Sequence, residues 1–580
     1  MIDYRNTNLL FASILTETLK RLGLTTAVIC PGSRSTPLAI AFAGQKGIEA
    51  IPVLDERSAA FFALGIARKC KLPVALVCTS GTAGANFYSA IIEAKESRVP
   101  LLVLTCDRPP ELRNCHSGQT IDQLKLYGTY PNWQTELALP SADMSILAYL
   151  RQTIIHAWER ALYPVAGVVH INIPFRDPLA PLPDGIERNW LNEEDFFRGI
   201  SHQLVGHQLV GRMQYAPTFP VQWQESRRGI IIAGVAQPEN ARDYVSAIAH
   251  LSKLLQFPVL AEGLSPVRNY ADLNPYLIST YDLILRNTEL SKQLKPEIVI
   301  QVGELPTSKE LRNWLTSTQI ERWIIDPSNH NLDPLHGKTT HLQISIEQLA
   351  EAYIFPSKAF NSYLQLWCEC ESKVRAKVDS SMAEINQIFE CKTAWLLSAA
   401  LPPETPLFIS NSMPVRDVEF FWQPNNLHVQ PFFNRGANGI DGILSTALGI
   451  AHCQQSSVML TGDLALLHDT NGFLLNNNFF GHLTIILINN NGGGIFEMLP
   501  ISKFEPPFED FFATPQNIDF ASLCATYNVE HELINSWEQL QQKLNPLPIT
   551  GIRVLELQTN RKLDAKWRQE NLGKFAADII

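Results

Sequence analysis

The sequence predicts an α/β fold built of three successive parallel-sheet α/β domains, and three observations carry that expectation. Short runs rich in Val, Ile and Leu, bounded by Pro, Gly or polar residues, alternate with helical patterns. Such alternation marks a parallel sheet covered on both faces. It is interrupted twice, by a proline-rich stretch after Pro174 and by a helical connector before Thr405. The chain has 580 residues, and at about 150 residues per domain that length holds three or four units.

Taken in order, the first block (1–185) has strand runs at Ala27–Cys30, Ile51–Leu54, Val74–Cys78, Leu101–Thr105 and Val168–Ile173. Helical patterns lie between them, at Asn8–Leu22, Ser58–Cys70 and Ala83–Ser97. Pro174, Pro178, Pro181 and Pro183 then break the chain, and residues 186–228 read as a linker or insertion. That stretch holds a tandem duplication, His202–Gly206 followed by His207–Gly211, with no acidic residue spaced to make its histidines a metal site. The central block (229–355) has strand runs at Gly229–Ala233, Pro258–Ala261, Glu297–Val302 and Arg322–Ile325. A helical connector (356–404) leads to the third block (405–580), with strands at Leu407–Ser410, Ser457–Thr461, Leu483–Asn489 and Ile552–Leu557.

Charge and composition exclude several classes. The net charge of -10 argues against a general nucleic-acid binder, which carries a basic surplus. No window approaches the ~18 apolar residues needed to span a bilayer, and the polar N-terminus has no signal-type apolar core. The cysteines are scattered without zinc spacing, so the expectation is a cytoplasmic protein with reduced thiols. Charged residues make up 18%, against a usual share of about 25%, which predicts a subunit that buries surface against a partner.

The chemistry concentrates at strand ends. In the third block, Val458–Leu464 reads as a buried strand running into Gly462-Asp463, and a second strand, Leu483–Ile488, runs into Asn489-Asn490-Asn491-Gly492-Gly493-Gly494. Ligands of open α/β sheets bind at the carboxyl ends of strands, so Asp463 and Asn490 can come side by side. An Asp carboxylate, an Asn carbonyl and a backbone carbonyl such as that of Gly492 are hard oxygen ligands suited to Mg²⁺, with Mn²⁺ as the alternative ion. The glycines let backbone approach phosphates closely. In the first block, the strand Ile51–Leu54 leads into Asp55-Glu56, at the start of a helix, where an acidic residue also complements the helix dipole.

Together these motifs resemble the thiamine diphosphate-dependent enzymes, whose signature is Gly-Asp-x followed some two dozen residues later by Asn-Asn; its usual third residue is Gly, here Leu464. Further stretches resemble the branch that condenses 2-oxoglutarate with isochorismate on the way to menaquinone or phylloquinone. They are Cys30–Leu38, Asp55–Gly65, Thr79–Ala83, Asp107–Leu112, Asn434–Gly442 and Asn489–Leu499. The resemblance covers the first and third blocks well and the central block weakly. It implies pyrimidine-binding, central and diphosphate-binding domains in that order.

It also implies roles. Glu56 would hydrogen-bond the aminopyrimidine ring and favour the imino tautomer that deprotonates the thiazolium carbon. Asp463, Asn490 and Gly492 would hold the metal. The Gly462–Leu464 turn, the Asn490–Gly493 loop and Ser412 would meet the phosphates, and Ile440 would buttress the bent cofactor. Ser33, Arg34, Arg108, Gln119, Arg416 and Arg435 would bind substrate carboxylates or stabilise charge, Arg34, Gln119, Arg416 and Arg435 acting beside Glu56 in catalysis; arginine forks suit carboxylates. Lys309 of the central block is a further candidate for substrate binding, a surface lysine being its other reading. Ile495, Phe496 and Leu499 would wall the thiazolium and exclude water. His116 reads as a solvated histidine rather than an acid–base group. In the family Glu56 of one subunit meets Asp463 and Asn490 of another, implying a homodimer or a dimer of dimers. Another thiamine diphosphate-dependent 2-oxoacid carboligase or decarboxylase is the alternative, and a catalytically silent protein on the same fold a second. A dinucleotide-binding protein lacks support, because no GxGxxG follows a strand with an acidic residue ~20 positions on.

Overall fold

A computed structural model describes residues 2–186, 191–200, 220–352, 356–452 and 455–579. The histidine-containing duplication at 202–211 lies outside them. Three six-stranded sheets, parallel throughout, follow one another along the chain. The first contains β1 (Thr26–Ile29), β2 (Glu49–Pro52), β3 (Val74–Cys78), β4 (Leu101–Asp107), β5 (Trp133–Glu136) and β6 (Val168–Pro174), in the order β2-β1-β3-β4-β6-β5. The second contains β7 (Gly229–Ala233), β8 (Val259–Ala261), β9 (Leu277–Ile278), β10 (Ile298–Val302), β11 (Arg322–Ile325) and β12 (Thr339–Leu342), in the order β12-β11-β10-β7-β8-β9. The third contains β13 (Pro406–Ile409), β14 (Gln430–Phe432), β15 (Ser457–Gly462), β16 (His482–Asn489), β17 (Glu530–Leu533) and β18 (Gly551–Gln558), in the order β14-β13-β15-β16-β18-β17.

The first and third sheets thus repeat one topology. In each, the strand order reverses between the first strand and the third, which opens a crevice at their carboxyl ends where ligands bind in open α/β sheets. The turns following β1 and β3, and those following β13 and β15, carry the sequence motifs singled out above. The inner strands β1, β3, β4 and β6 are buried along their whole length, as double-sided helix cover demands.

By contact, the chain divides into two compact bodies. The first comprises residues 1–212, 434–454 and 467–481, and the second residues 213–433, 455–466 and 482–580. Each has its own packing. In the first body the helix Glu56–Cys70 lies against the helix Ile443–Ala451 with almost no space between backbones. A Cβ on Gly65 would stand 2.1 Å from the carbonyl oxygen of Thr446, and one on Gly449 2.2 Å from that of Phe62. Overpacking of this kind forces backbone apart. Gly65→Ala is therefore expected to cost about 3 kcal/mol of stability, read as a lowered denaturation midpoint; an unchanged midpoint would mean the helices part without cost.

The helix Glu56–Cys70 starts two residues earlier than the pattern predicts. The Asp55 carboxylate accepts from the backbone N–H of Ser58 at 3.0 Å and caps it, which makes Glu56 the first helical residue. The expected helix Ala83–Ser97 is two helices, Thr82–Ala85 and Tyr88–Glu96, with the break beside the fully buried Phe87. Among the described residues no helix is long and apolar enough to cross a membrane.

Candidate active site

The crevice of the third sheet is built by two turns that hold each other. Asp463, the residue after β15, is 4% exposed. Its Oδ1 accepts from the N–H of Leu464 at 2.7 Å and its Oδ2 from the N–H of Gly492 at 2.8 Å. Gly492 has φ 141°, and a Cβ there would sit 2.5 Å from the carbonyl oxygen of Ala513, so only glycine fits. The Asn491 carbonyl accepts from Arg561 Nη1 at 2.8 Å, and the Gly493 N–H donates to Ala513 at 2.7 Å; these bonds lock the loop. Asn490 donates from Nδ2 to Glu390 Oε1 at 2.6 Å. Its Oδ1 is buried and has no hydrogen-bond partner. Gly462 leaves open space where a Cβ would stand.

These residues fit a divalent cation. Burial pushes the Asp463 carboxyl from an ordinary 3.8 up to about 6, against the backbone hydrogen bonds that lower it and with the Glu390 charge adding to the rise. A buried carboxylate beside an orphaned amide oxygen is costly unless a cation joins them. The sign of the pH effect follows. The folded, metal-free protein holds the Asp463 proton more tightly than the unfolded chain, so it loses stability as pH rises from about 4 to 6. A bound cation needs the carboxylate and offsets that loss. The rise in melting temperature caused by Mg²⁺ with thiamine diphosphate is therefore expected to be small at pH 5 and to grow toward pH 7. Equal shifts at both pH values would show that burial does not hold the Asp463 carboxyl near 6.

On the same sheet, Ser410, Asn411 and Ser412 follow β13. Ser412 has φ 72° and leads the helix Met413–Phe421, and the Arg416 Nη1 donates back to its carbonyl at 2.5 Å. The buried Ser410 hydroxyl has no partner. Ile495 and Phe496 lie half-buried on the short helix Gly494–Glu497, Phe496 edge-on to Phe512 at 5.8 Å, and Leu499 is exposed.

The crevice of the first sheet is cationic. Arg34, 7% exposed, donates from Nη1 to the Phe175 carbonyl at 2.8 Å and lies 3.4 Å from Asp177, while its Nε has no partner. Arg108 donates to the Ser80 hydroxyl, and Gln119 donates to the Ser80 carbonyl at 3.0 Å. Burial lowers the Arg108 pKa, and the nearby Arg34 charge lowers it further. Two neighbouring guanidiniums suit an incoming anion. Ser33 is exposed on the same turn. Glu56 is close enough to Cys30, at the end of β1, to help burial push that thiol well up. Beside it, a cavity of about 520 Å³ opens between the turn after β1, the end of β2 and residues 471–478.

The structure thus groups Asp463, Leu464, Asn490, Gly492 and Gly493 at one crevice, and Arg34, Arg108 and Gln119 at another. Arg435 and Ile440 belong to the first body, on the loop that Glu93 holds through the N–H groups of Gly436 and Ala437, at 3.0 and 2.7 Å. Lys309 is exposed at the start of the helix after β10 and joins neither group. Sequence reasoning missed Ser80, which ties Arg108 to Gln119, and Glu390, which grips Asn490.

Parallel sheets with these two crevices define the thiamine diphosphate-dependent class, and the comparisons agree. Residues 10–126 match the family model described as thiamine pyrophosphate enzyme, N-terminal TPP binding domain. Residues 200–409 match the middle domain of thiamine pyrophosphate enzymes. The fold is similar to that of benzoylformate decarboxylase from Polynucleobacter necessarius, with a TM-score of 0.69 and 15% identity over 95% of this chain and 98% of that one. The 2-succinyl-5-enolpyruvyl-6-hydroxy-3-cyclohexene-1-carboxylate synthase of Nostoc sp. is 68% identical over 100% of both chains. The synthases of the same name from Gloeothece citriformis and Acaryochloris marina are 66% and 58% identical, over 99% and 98% of both chains. The chain belongs to this synthase family.

Proposed function

We propose that the protein catalyses the thiamine diphosphate-dependent decarboxylation of 2-oxoglutarate and the addition of the remaining succinyl unit to isochorismate. The product is 2-succinyl-5-enolpyruvyl-6-hydroxy-3-cyclohexene-1-carboxylate, on the way to menaquinone or phylloquinone. The observation that carries the reading is the pairing of a buried, cation-seeking Asp463 with the orphaned Asn490 oxygen, in a chain whose relatives bear this name.

When bound, thiamine diphosphate would supply an electron sink for the decarboxylation of a 2-oxo acid. The rest falls to the chain. Glu56 holds a proton at the aminopyrimidine ring nitrogen. Asp463 and Asn490, with the Gly492 carbonyl, would hold Mg²⁺ or Mn²⁺, and Leu464, Gly493 and Ser412 would meet the diphosphate. Arg34, Arg108 and Gln119 take substrate carboxylates at one crevice, with Ser33 beside them. Arg416, Arg435 and Lys309 are further cations for binding substrate carboxylates. Ile495, Phe496 and Leu499 exclude water from the nucleophilic carbon, and Ile440 supports the cofactor.

The working unit is a homodimer or dimer of dimers in the cytoplasm, with Glu56 from one subunit serving Asp463 and Asn490 of another. The test is an assay of purified protein with 2-oxoglutarate, isochorismate, thiamine diphosphate and Mg²⁺, each omitted in turn. Product is expected only with all four. Rapid consumption of 2-oxoglutarate without isochorismate would instead identify a simple decarboxylase.

A further inference from the structure

We infer that Glu390 is a positioning residue for the metal site, setting which atom of Asn490 faces the cation; this rests on the metal reading above. Glu390 is the first residue of the helix Glu390–Ala400 and is 2% exposed. A carboxylate can only accept hydrogen bonds. Its Oε1, 2.6 Å from Asn490, therefore demands the amide nitrogen and turns Asn490 Oδ1 the other way. That oxygen is the one left buried without a partner, on the loop whose Gly492 N–H binds Asp463. An amide turned the other way would present its N–H₂ to the cation and repel it.

The carboxylate is itself held. Glu390 Oε2 accepts from Arg568 Nη2 at 2.7 Å, and Oε1 also from the Thr559 hydroxyl at 3.3 Å. Arg568 reaches on to both oxygens of Asp417, at 3.0 and 2.6 Å. Glu390, Arg568 and Asp417 are all buried. Three helices thus meet at Arg568, and Gly494 leaves room for Asn490, since a Cβ there would stand 2.7 Å from Asn490 Nδ2. Supporting shells of this kind fix the orientation of ligands and tune metal affinity.

The test titrates Mn²⁺ into the full-length, metal-free protein with thiamine diphosphate present and reads free Mn²⁺ by electron paramagnetic resonance. Glu390→Gln lets the amide turn over, and the Mn²⁺ dissociation constant is expected to rise by about 10- to 100-fold. The double variant Glu390→Gln/Asn490→Asp reverses the hydrogen bond: the new amide donates to one Asp oxygen and leaves the other for the metal. Binding should then return to within about fivefold of wild type. A residue that merely neutralised Arg568 would not be rescued this way, because the double variant restores no carboxylate at position 390 beside Arg568. Wild-type binding by Glu390→Gln, or no recovery in the double variant, would overturn the inference. Should Glu390→Gln not fold, Asn490→Asp alone serves. It sets two carboxylates face to face and should bind Mn²⁺ more weakly than wild type, and wild-type binding would overturn the inference too. Failure of the wild type to bind Mn²⁺ would instead remove the metal reading on which it rests.

Discussion

Glu56→Gln is expected to slow turnover by about 10²- to 10⁴-fold with the fold intact. The fold should survive because Asp55, not Glu56, caps the helix, and the Asp55 carboxylate is also held by Asn471 Nδ2 at 2.7 Å. Glutamine matches glutamate in shape and can still accept a hydrogen bond at its oxygen. What it cannot do is hold and return a proton at the pyrimidine ring. Steady-state rates with both substrates, set beside a melting curve, separate the two effects. Wild-type rates in a normally folded variant would show that the activating carboxylate lies elsewhere.

The second large effect is expected for Asp463→Asn. The carboxylate already accepts two backbone N–H groups, one at each oxygen, and its remaining lone pairs are what a cation would use. An amide can satisfy one of those N–H groups, but its own N–H₂ must then face the other or the metal. We expect Mn²⁺ affinity to fall by about 100-fold or more, beyond what the loss of a supporting residue costs. Activity should fall with it and recover in part at high metal concentration. Unchanged Mn²⁺ binding would place the cation elsewhere.

The parts of the molecule that sequence made legible share a physical cause. Strands covered on both faces read as unbroken apolar runs, so the inner strands β1, β3, β4, β6, β7, β10, β15, β16 and β18 all announce themselves. The strands that escaped notice are β5, β9, β12, β14 and β17, and every one lies at a sheet edge. Edge strands are short and partly exposed, as in Trp133–Glu136 and Glu530–Leu533, so their residues carry neither a run nor a clean alternation. The crevices were legible because glycine-rich turns follow buried strands. The grip of Glu390 on Asn490 was not. Its members lie 100 and 178 residues apart in the chain, and on a helix a lone Glu or Arg looks like ordinary solvent-facing charge. Ser80 lies in the Thr79–Ala83 stretch that carries the resemblance, but nothing local assigns that serine a role of its own.

The tight helix crossing at Gly65 has a meaning beyond stability. Gly65 stands nine residues along the helix that Glu56 begins, about 14 Å away at a rise of 1.5 Å per residue. Because neither backbone can slide past the other there, the crossing acts as a locating pin. The helix is indexed against its neighbour at one end, and its first residue is delivered to a fixed height at the other. A slip of a single residue would displace Glu56 by about 1.5 Å, a misplacement of the size that costs ~10²-fold in rate. The height of Glu56 is thus set at a crossing about 14 Å along its helix.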